Sequence, residues 1–183
     1  MYKKVFVAMI VLYIAGKTNT KNYLTTPDLY RYSIKQFFKT SERIWMCRAS
    51  KRTAIRYQYD QTVSIDAVSI IFNRTFWSQG RRHSIQLQGQ FNPRRKDRMD
   101  VSSRGIPAVL RETMIYEAPN SSCAIVKLRP NIRGAASYYE LRVKNTCNRA
   151  LIHRQCLRHY RNLTDQEKQV HEPERQHLVD SRE

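Results

Sequence analysis

Acidic residues are scarce in this 183-residue chain. It has 15 Asp and Glu against 33 Lys and Arg, and its formal net charge at pH 7 is +18. Such a charge favours anionic partners. The basic residues are scattered, however, and no zinc-finger spacing, helix-turn-helix or nucleic-acid-binding sheet motif accompanies them. We therefore expect no nucleic-acid partner, and weak adhesion to anionic glycans only as a secondary effect of the charge.

The motifs of common enzyme classes are also missing. There is no nucleophile elbow, no phosphate-cradling glycine loop and no pair of histidines at zinc spacing. Four of the five histidines fall in the predicted terminal helix or the tail, where solvated side chains are typical: His153, His159, His171 and His177. The sequence predicts a protein that is not an enzyme and uses neither a metal nor another cofactor.

Long hydrophobic runs are lacking except at the N-terminus. There, two lysines precede the apolar run Val5–Ala15, and small residues follow it. This layout is typical of a secretory signal peptide, over residues 1–16, and the run is short for a membrane span. Cleavage would remove the two lysines and lower the formal charge from +18 to +16. We expect a secreted protein with one domain over 17–165 and a charged, disordered tail over 166–183.

Four cysteines and three glycosylation sequons agree with secretion. Cys47, Cys123, Cys147 and Cys156 fit two disulfides in a secreted chain, and their spacing does not resemble a metal site. The sequons begin at Asn73, Asn120 and Asn162. The last two lie next to a predicted loop and the tail, where a glycan is tolerated, whereas Asn73 interrupts a predicted strand.

Between two helical stretches, the chain has the pattern of a series of short strands. A capping residue and a proline at Thr25–Asp28 predict the start of an N-terminal helix, and spacing over Ala150–Leu163 predicts a C-terminal one. The eight predicted strands are Arg43–Ser50, Thr53–Asp60, Val68–Trp77, Arg82–Phe91, Arg98–Ser103, Val109–Glu117, Ser122–Leu128 and Tyr138–Lys144. Short strands without intervening helices indicate an antiparallel sandwich or closed barrel. The order of elements favours an all-β, eight-stranded up-and-down barrel that can hold a small ligand.

The faces of two strands carry the candidate binding groups. Glu112 shares a face with Leu110, Met114 and Tyr116, and a buried carboxylate needs a partner. It therefore meets a basic residue such as Arg142, binds a cationic ligand, or lies on a strand whose register is assigned wrongly.

The strand Tyr138–Lys144 gives a different result. Its apolar face is Tyr139, Leu141 and Val143, so alternation alone places Glu140 and Arg142 outside the barrel. Aromatic residues on the other predicted strands would line a barrel interior, among them Tyr57, Tyr59, Phe72 and Phe76.

Several stretches together resemble a known family. They are the signal-like N-terminus, the Ile-Trp pair ending at Trp45 with a Cys close behind, and the segments MIYEAPNSSCAIVKL, YYELRVKN and CLRHYRNL. In order and spacing they resemble the tick salivary lipocalins, the group that includes the histamine-binding proteins. The resemblance implies a secreted eight-stranded lipocalin barrel with an N-terminal and a C-terminal helix. It also implies that the protein sequesters a host mediator, such as histamine, serotonin or a leukotriene, to blunt inflammatory or haemostatic defence.

The resemblance also implies a ligand set. The glutamate of the Glu-Leu-Trp motif of amine-binding members points into the barrel and falls on Glu140, and Glu112 falls where such members place another ligand-facing acid. Two positions depart from the pattern: Ala124 replaces an acid, and Arg142 replaces the tryptophan.

These positions lead to three hypotheses. A biogenic amine would be held by Glu112 and Glu140, with Tyr116 and some of the four strand aromatics around it. Alternatively, Arg142 would bind the carboxylate of a leukotriene or fatty acid. In the third hypothesis, side chains fill the lumen, and the basic surface binds glycans or host plasma proteins.

The disulfide pairing is likewise implied by the resemblance. Cys156 matches the family cysteine that pairs with the one at Cys123, whereas the family's terminal cysteine is absent and Cys147 is extra. Since the first and last strands of a closed barrel are neighbours, Cys47 is expected to pair with Cys147. The alternative joins Cys123 to Cys147 and Cys47 to Cys156. We expect the protein to be a monomer.

Overall fold

The computed structural model describes residues 32–103, 106–164 and 168–169. The predicted signal peptide, the predicted helix start at Thr25–Asp28 and nearly all of the predicted tail lie outside these residues. The elements are α1 (Ile34–Phe38), β1 (Ile44–Ala49), β2 (Arg56–Ile65), β3 (Ser69–Ser78), β4 (Arg81–Phe91), β5 (Arg98–Ser103), β6 (Ile106–Glu117), β7 (Cys123–Pro130), β8 (Tyr138–Lys144), α2 (Arg154–Leu163) and β9 (Lys168–Gln169). All eight predicted strands are present, and β2 continues past its predicted end at Asp60.

The strands form a closed antiparallel barrel. Each strand from β2 to β7 pairs with the next one along the chain, and β1 pairs with both β8 and β2. Ile44 lies opposite Lys144 on one side and opposite Asp60 on the other, which closes the ladder. The short β9 was not predicted; it pairs with Arg48–Ala49 at the other end of β1. The predicted eight-stranded up-and-down barrel is confirmed.

Helix α1 closes one end of the barrel, which we call the closed end. The Ile34 N–H donates to the Lys96 carbonyl at 3.0 Å, and the Thr62 hydroxyl donates to the Phe38 carbonyl at 2.9 Å. Ser33 caps the helix by accepting the Gln36 N–H. Tyr32 is not helical, so the described helix is shorter than predicted. The loops β1–β2, β3–β4 and β7–β8 lie at the opposite, open end.

Two apolar clusters lie on opposite sides of the barrel wall. The inner cluster fills the closed end with α1 and inward-facing strand residues such as Phe72 and Met114. The outer cluster forms where Cys156 and Tyr160 of α2 pack on outward-facing residues of β7 and β8, including Ile125 and Leu141. Consequently both faces of β8 are buried, one by the lumen and one by a helix.

Two disulfides join elements of this wall to the segment that follows β8. Cys47 of β1 is bonded to Cys147, just past β8, and Cys123 of β7 is bonded to Cys156 of α2. This is the pairing expected first, and the alternative pairing is not formed.

No helix in the described part of the chain is long and apolar enough to cross a membrane.

The C-terminal helix differs from its prediction at both ends. It begins at Arg154 rather than Ala150, because the His153 ring caps it by accepting the Gln155 N–H at 3.3 Å. Leu163, its last residue, is 37% exposed, whereas Cys156 and Tyr160 are fully buried.

Candidate functional site

Glu140 and Arg142 lie in the lumen. They are only 3% and 1% exposed, and Arg142 donates hydrogen bonds both to Glu140 on its own strand and to Glu112 of β6. The outward placement that alternation predicts is therefore wrong. The apolar residues Leu141 and Val143 do share a face, but that face packs beneath α2 rather than in the lumen. Alternation correctly predicts which residues of β8 share a face. It does not predict which of the two faces α2 covers.

Five charged side chains form one buried network in the lumen. Arg142 donates to both oxygens of Glu112, from Nη1 at 2.7 Å and from Nη2 at 2.8 Å. It also donates from Nε and Nη2 to Oε2 of Glu140, at 3.0 and 2.8 Å. Arg74 donates to both oxygens of Asp60 at 2.7 Å, and to Oε1 of Glu112 at 3.1 Å. Glu112 thus joins the two arginines.

The network contains more carboxyl groups than guanidiniums. Asp60, Glu112 and Glu140 supply three carboxyl groups, whereas Arg74 and Arg142 supply two guanidiniums. Among the described residues, Oε1 of Glu140 has no hydrogen-bond partner, because both bonds from Arg142 go to Oε2. Buried charges are costly unless they are paired. Glu140 is therefore the least satisfied member of the network.

The pKa shifts of the two glutamates agree with this difference in hydrogen bonding. Burial raises the pKa of Glu140 above its ordinary value of 4.5, since Arg142 and Arg74 offset only part of the desolvation and Glu112 adds like charge. For Glu112, burial also acts to raise the pKa, but Arg142 and Arg74 outweigh it and hold the pKa below 4.5. The two arginines thus stabilise Glu112 as a carboxylate and leave Glu140 undercompensated.

An aromatic floor lies between the network and the closed end. Phe38 of α1 and Phe72 of β3 are fully buried, with ring centroids 5.8 Å apart. The Arg142 Cζ lies 5.7 Å from the Phe38 ring centroid, and the Arg74 Cζ lies 5.5 Å from that of Phe72. Such cation–π contacts stabilise guanidiniums where water cannot reach them.

On the open side of the network, the lumen-facing side chains are less buried than the network itself. Ile85, whose strand neighbour across the ladder is Arg74, is 43% exposed, and Phe76 and Tyr138 are half-buried. Phe76 stacks on His83 with ring centroids 5.4 Å apart. We call this space the upper lumen. Its walls are aromatic and apolar, and Glu140 lies nearer to it along β8 than Arg142 does.

Lys51 of the β1–β2 loop contacts this upper lumen. Its Nζ lies 3.8 Å from the centroid of the Tyr138 ring. Partial burial lowers the pKa of Lys51, while the charge of Glu140 acts in the opposite direction. Burial, followed by the charge of Glu140, raises the pKa of Tyr138, so its hydroxyl stays protonated. The protein's own ammonium group therefore occupies an aromatic face beside the undercompensated carboxyl group.

The predicted aromatic residues divide into two groups. Phe72 lies in the floor and Phe76 in the upper lumen, as expected. Tyr116 does not, because an irregularity between Met114 and Tyr116 turns its side chain outward. There it stacks on His159 of α2 at 4.0 Å and donates to Gln155 at 2.8 Å. Its expected place around a ligand is therefore corrected.

Tyr59 and Tyr57 also leave the lumen. Tyr59 alternates with the lumen residue Asp60, and its ring lies 4.8 Å from Trp45 in the outer cluster. Tyr57 has a φ of +50° beside a register shift in β2, and it packs edge-on against Trp77. Bulges of this kind change which face a side chain takes. Both residues belong to, or pack against, the outer cluster.

Asp60, Arg74 and Tyr138 also belong to this site, and none of them was predicted as a binding residue. Arg74 lies between Phe72 and Phe76 on one face of β3, so a charge among inward aromatics was a usable signal. No such signal marked Asp60, because it lay at the end of its predicted strand.

No group of three His, Cys, Asp or Glu in the described ranges could hold a metal ion.

The sequon positions differ in accessibility. Asn120 and Asn162 are exposed, in the β6–β7 turn and in the last turn of α2. Asn73 is half-buried on β3, opposite Gln61 and Gln86. Glycosylation at all three stays a prediction.

Ala124, where the resemblance implied an acid, is fully buried in the inner cluster.

This barrel is similar in fold to several solved structures. Japanin from Rhipicephalus appendiculatus, bound to cholesterol, matches with a TM-score of 0.52 and 7% identity over 72% of this chain and 92% of its own. AM182, in its serotonin complex, matches with a TM-score of 0.57 and 12% identity over 77% and 90%. The siderocalin Ex-FABP, described as having dual ligand specificities, matches with a TM-score of 0.55 and 8% identity over 72% and 93%.

Comparison of the amino-acid sequence does not assign the chain to a family. No protein-family model and no curated protein sequence matches this chain. Identities of 7% to 12% with the solved structures show shared architecture and nothing finer. The closed eight-stranded barrel, its two helices and these structural matches together show that the chain has the lipocalin fold.

Proposed function

We propose that the protein captures a small organic monocation, most favourably an aromatic biogenic amine such as serotonin or histamine, in its upper lumen. The observation that carries the proposal is the charge of the buried network, in which three carboxyl groups face two guanidiniums. An ammonium group at Glu140 would complete the balance. Burial strengthens such a pair because water does not screen it.

The walls of the upper lumen suit the rest of an aromatic amine. Phe76 and Tyr138 offer ring faces, and Ile85 offers an apolar surface that is open to solvent. Aromatic rings attract cations through their quadrupole. Binding sites for small molecules are typically apolar with a few fixed polar groups, which describes this arrangement. AM182, similar in fold, was solved with serotonin.

An acidic lipid held by Arg142 is less well supported. Arg142 already donates four hydrogen bonds to Glu112 and Glu140, so an incoming carboxylate would have to displace one of them. It would also add negative charge to a network that already has an excess of it. A neutral sterol, such as the cholesterol bound by the fold neighbour Japanin, would leave the charge imbalance untouched.

On this proposal the protein acts by sequestration and not as an enzyme. Released into the host, it would withhold the amine from host receptors and so blunt inflammatory or haemostatic responses. Two disulfides suit the oxidising environment that a secreted protein meets.

The test is calorimetry with serotonin and histamine on the disulfide-intact protein and on Glu140→Gln. Charge-assisted hydrogen bonds contribute about 1.5–3 kcal/mol, so we expect the variant to bind the amine about 10- to 100-fold more weakly. Tryptophol, a neutral analogue of serotonin's indole scaffold, should bind both proteins equally weakly, because it lacks the ammonium group.

Glu42→Gln is the matched control, because it makes the same chemical change at the closed end, where Glu42 contacts Asn145. It should leave amine affinity unchanged. Equal amine affinity in the wild type and in Glu140→Gln would contradict the proposal. A fatty acid that binds more tightly than any amine would support the acidic-lipid alternative instead.

A further inference from the structure

A second concave site lies beside the β7–β8 loop, at the open end of the barrel. It is a cavity of about 590 Å³, lined by residues that include Asp100, Arg111, Arg129, Asn131, Ile132 and Arg133. Arg111 precedes Glu112 and Arg129 follows Leu128, and both neighbours are fully buried in the interior. The two arginines therefore extend from the outer wall, on the opposite side from the charged network.

The charges around this cavity are not balanced. Arg111 lies directly opposite Arg129 in the β6–β7 ladder, and like charges in that position destabilise a sheet. Asp100 forms a salt bridge with Arg111 from the other side, at 2.7 Å. Arg129 and Arg133 are exposed, and neither has an acidic partner among the described residues. The cavity thus presents three guanidiniums against one carboxylate.

The backbone of the loop gives the cavity a defined shape. The Asn131 N–H donates to the Val109 carbonyl at 2.9 Å, and its side chain donates to the Ala108 carbonyl at 3.0 Å. The Ala135 N–H donates to the Ile132 carbonyl at 3.1 Å, which closes a turn. These bonds hold the loop against the start of β6, so that Arg133 lies on the same cavity as Arg129.

We infer that this cavity binds a sulfated segment of an extracellular glycan. Guanidiniums form paired hydrogen bonds with sulfate and phosphate oxygens, and the unpaired arginines supply them here. A glycan chain can enter a concave site, whereas a membrane surface requires a flat or protruding one. The site lies across the barrel wall from the amine site, and it stands or falls independently of the proposed function.

The experiment compares binding of a size-defined heparin octasaccharide to the wild type and to Arg129→Ser/Arg133→Ser at several salt concentrations. We expect the double variant to bind at least about tenfold more weakly in 150 mM salt. Each ion pair to a polyanion contributes about 0.7–0.9 to the slope of log K against log salt, so the slope should fall by about 1.5.

The matched control is Arg154→Ser/Arg158→Ser, which removes the same charge from the exposed face of α2. It should lose less than about threefold, and serotonin binding should be unchanged in both variants. Equal losses in the two double variants would overturn the inference and show that the charge acts diffusely. So would tighter binding to vesicles containing phosphatidylserine than to heparin, or heparin binding that both variants retain in full. Circular dichroism confirms that each variant is folded.

Discussion

At the scale of single residues, Arg142 determines the character of the lumen. It holds Glu112 as a carboxylate through two hydrogen bonds, yet it reaches only one oxygen of Glu140. An arginine at this position does not reverse the sign of the site, because Arg74 and Asp60 add a balanced pair of their own. One carboxyl group therefore exceeds the number of guanidiniums, and Glu140 is the one that the arginines compensate least.

Lys51 gives a prediction at this scale. Its ammonium group covers the Tyr138 ring and lies in the field of Glu140, so it competes with a ligand cation for the same two groups. We expect Lys51→Met to bind serotonin about three- to tenfold more tightly, since an exposed or half-buried cation–π contact contributes about 0.5–1 kcal/mol and the charge competition adds to it. Calorimetry measures the change.

The control for this prediction is Lys96→Met, which removes an exposed lysine at the closed end. Its affinity for serotonin should match that of the wild type. If Lys51→Met bound the amine more weakly, Lys51 would be a supporting residue of the site and not a competitor.

At the scale of elements, helix α2 and the bulges determine which side chains reach the lumen. The helix covers one face of β8, and the irregularity in β6 turns Tyr116 towards it. Helix α1 in turn supplies Phe38 to the floor beneath the guanidiniums. Tight packing of β4 completes the closed end: a Cβ on Gly89 would lie 2.8 Å from Ile70 and 2.9 Å from Met99. Among the described residues, these elements therefore pack the closed end and leave the less buried lumen-facing side chains at the open end.

The two disulfides give a prediction for the elements that they join. The Cys47–Cys147 bond spans 100 residues of sequence and the Cys123–Cys156 bond spans 33. In the chain-entropy account, loops of these lengths contribute about 4.7 and about 3.7 kcal/mol respectively. We expect Cys47→Ala/Cys147→Ala to lower the free energy of unfolding by more than Cys123→Ala/Cys156→Ala. Urea denaturation measures both, and the reverse order would show that native packing of α2 outweighs loop closure.

At the scale of the whole molecule, the chain carries a formal charge of +18 and still contains a buried network of three carboxyl groups and two guanidiniums. Long-range repulsion of a cationic ligand is screened within about 8 Å in physiological salt. The interaction with Glu140 occurs inside the barrel and is screened far less. The basic outer surface therefore favours anionic partners, while the carboxyl-rich lumen favours a cationic ligand.

Proton linkage gives a prediction at this scale. The pKa of Glu140 in the free protein lies above 4.5, so acidification first protonates this group, and an ammonium ligand must then displace the proton. Amine affinity should be constant above that pKa and should fall by about tenfold per pH unit below it, with one proton released per ligand bound. Calorimetry in buffers of different ionisation enthalpy counts the protons.

The variant Glu140→Gln provides the control, because its residual affinity should not change with pH over the same range. Glu112 cannot replace Glu140 in this role, since its pKa lies below 4.5 and it stays ionised. Proton uptake on binding, or affinity that rises in acid, would contradict the assignment of the ammonium to Glu140.

Local patterns in the sequence determined the eight strands, their order and the two faces of each, because alternation and turn residues act over a few neighbouring positions. The tertiary structure decided which face points inward. Leu141 and Val143 look like core residues and are, but α2 covers them from outside, which frees Glu140 and Arg142 to enter the lumen. It also decided that Asp60 and Arg74 join them, since ion pairs between β2, β3, β6 and β8 depend on barrel closure and register, which act between residues far apart in the chain.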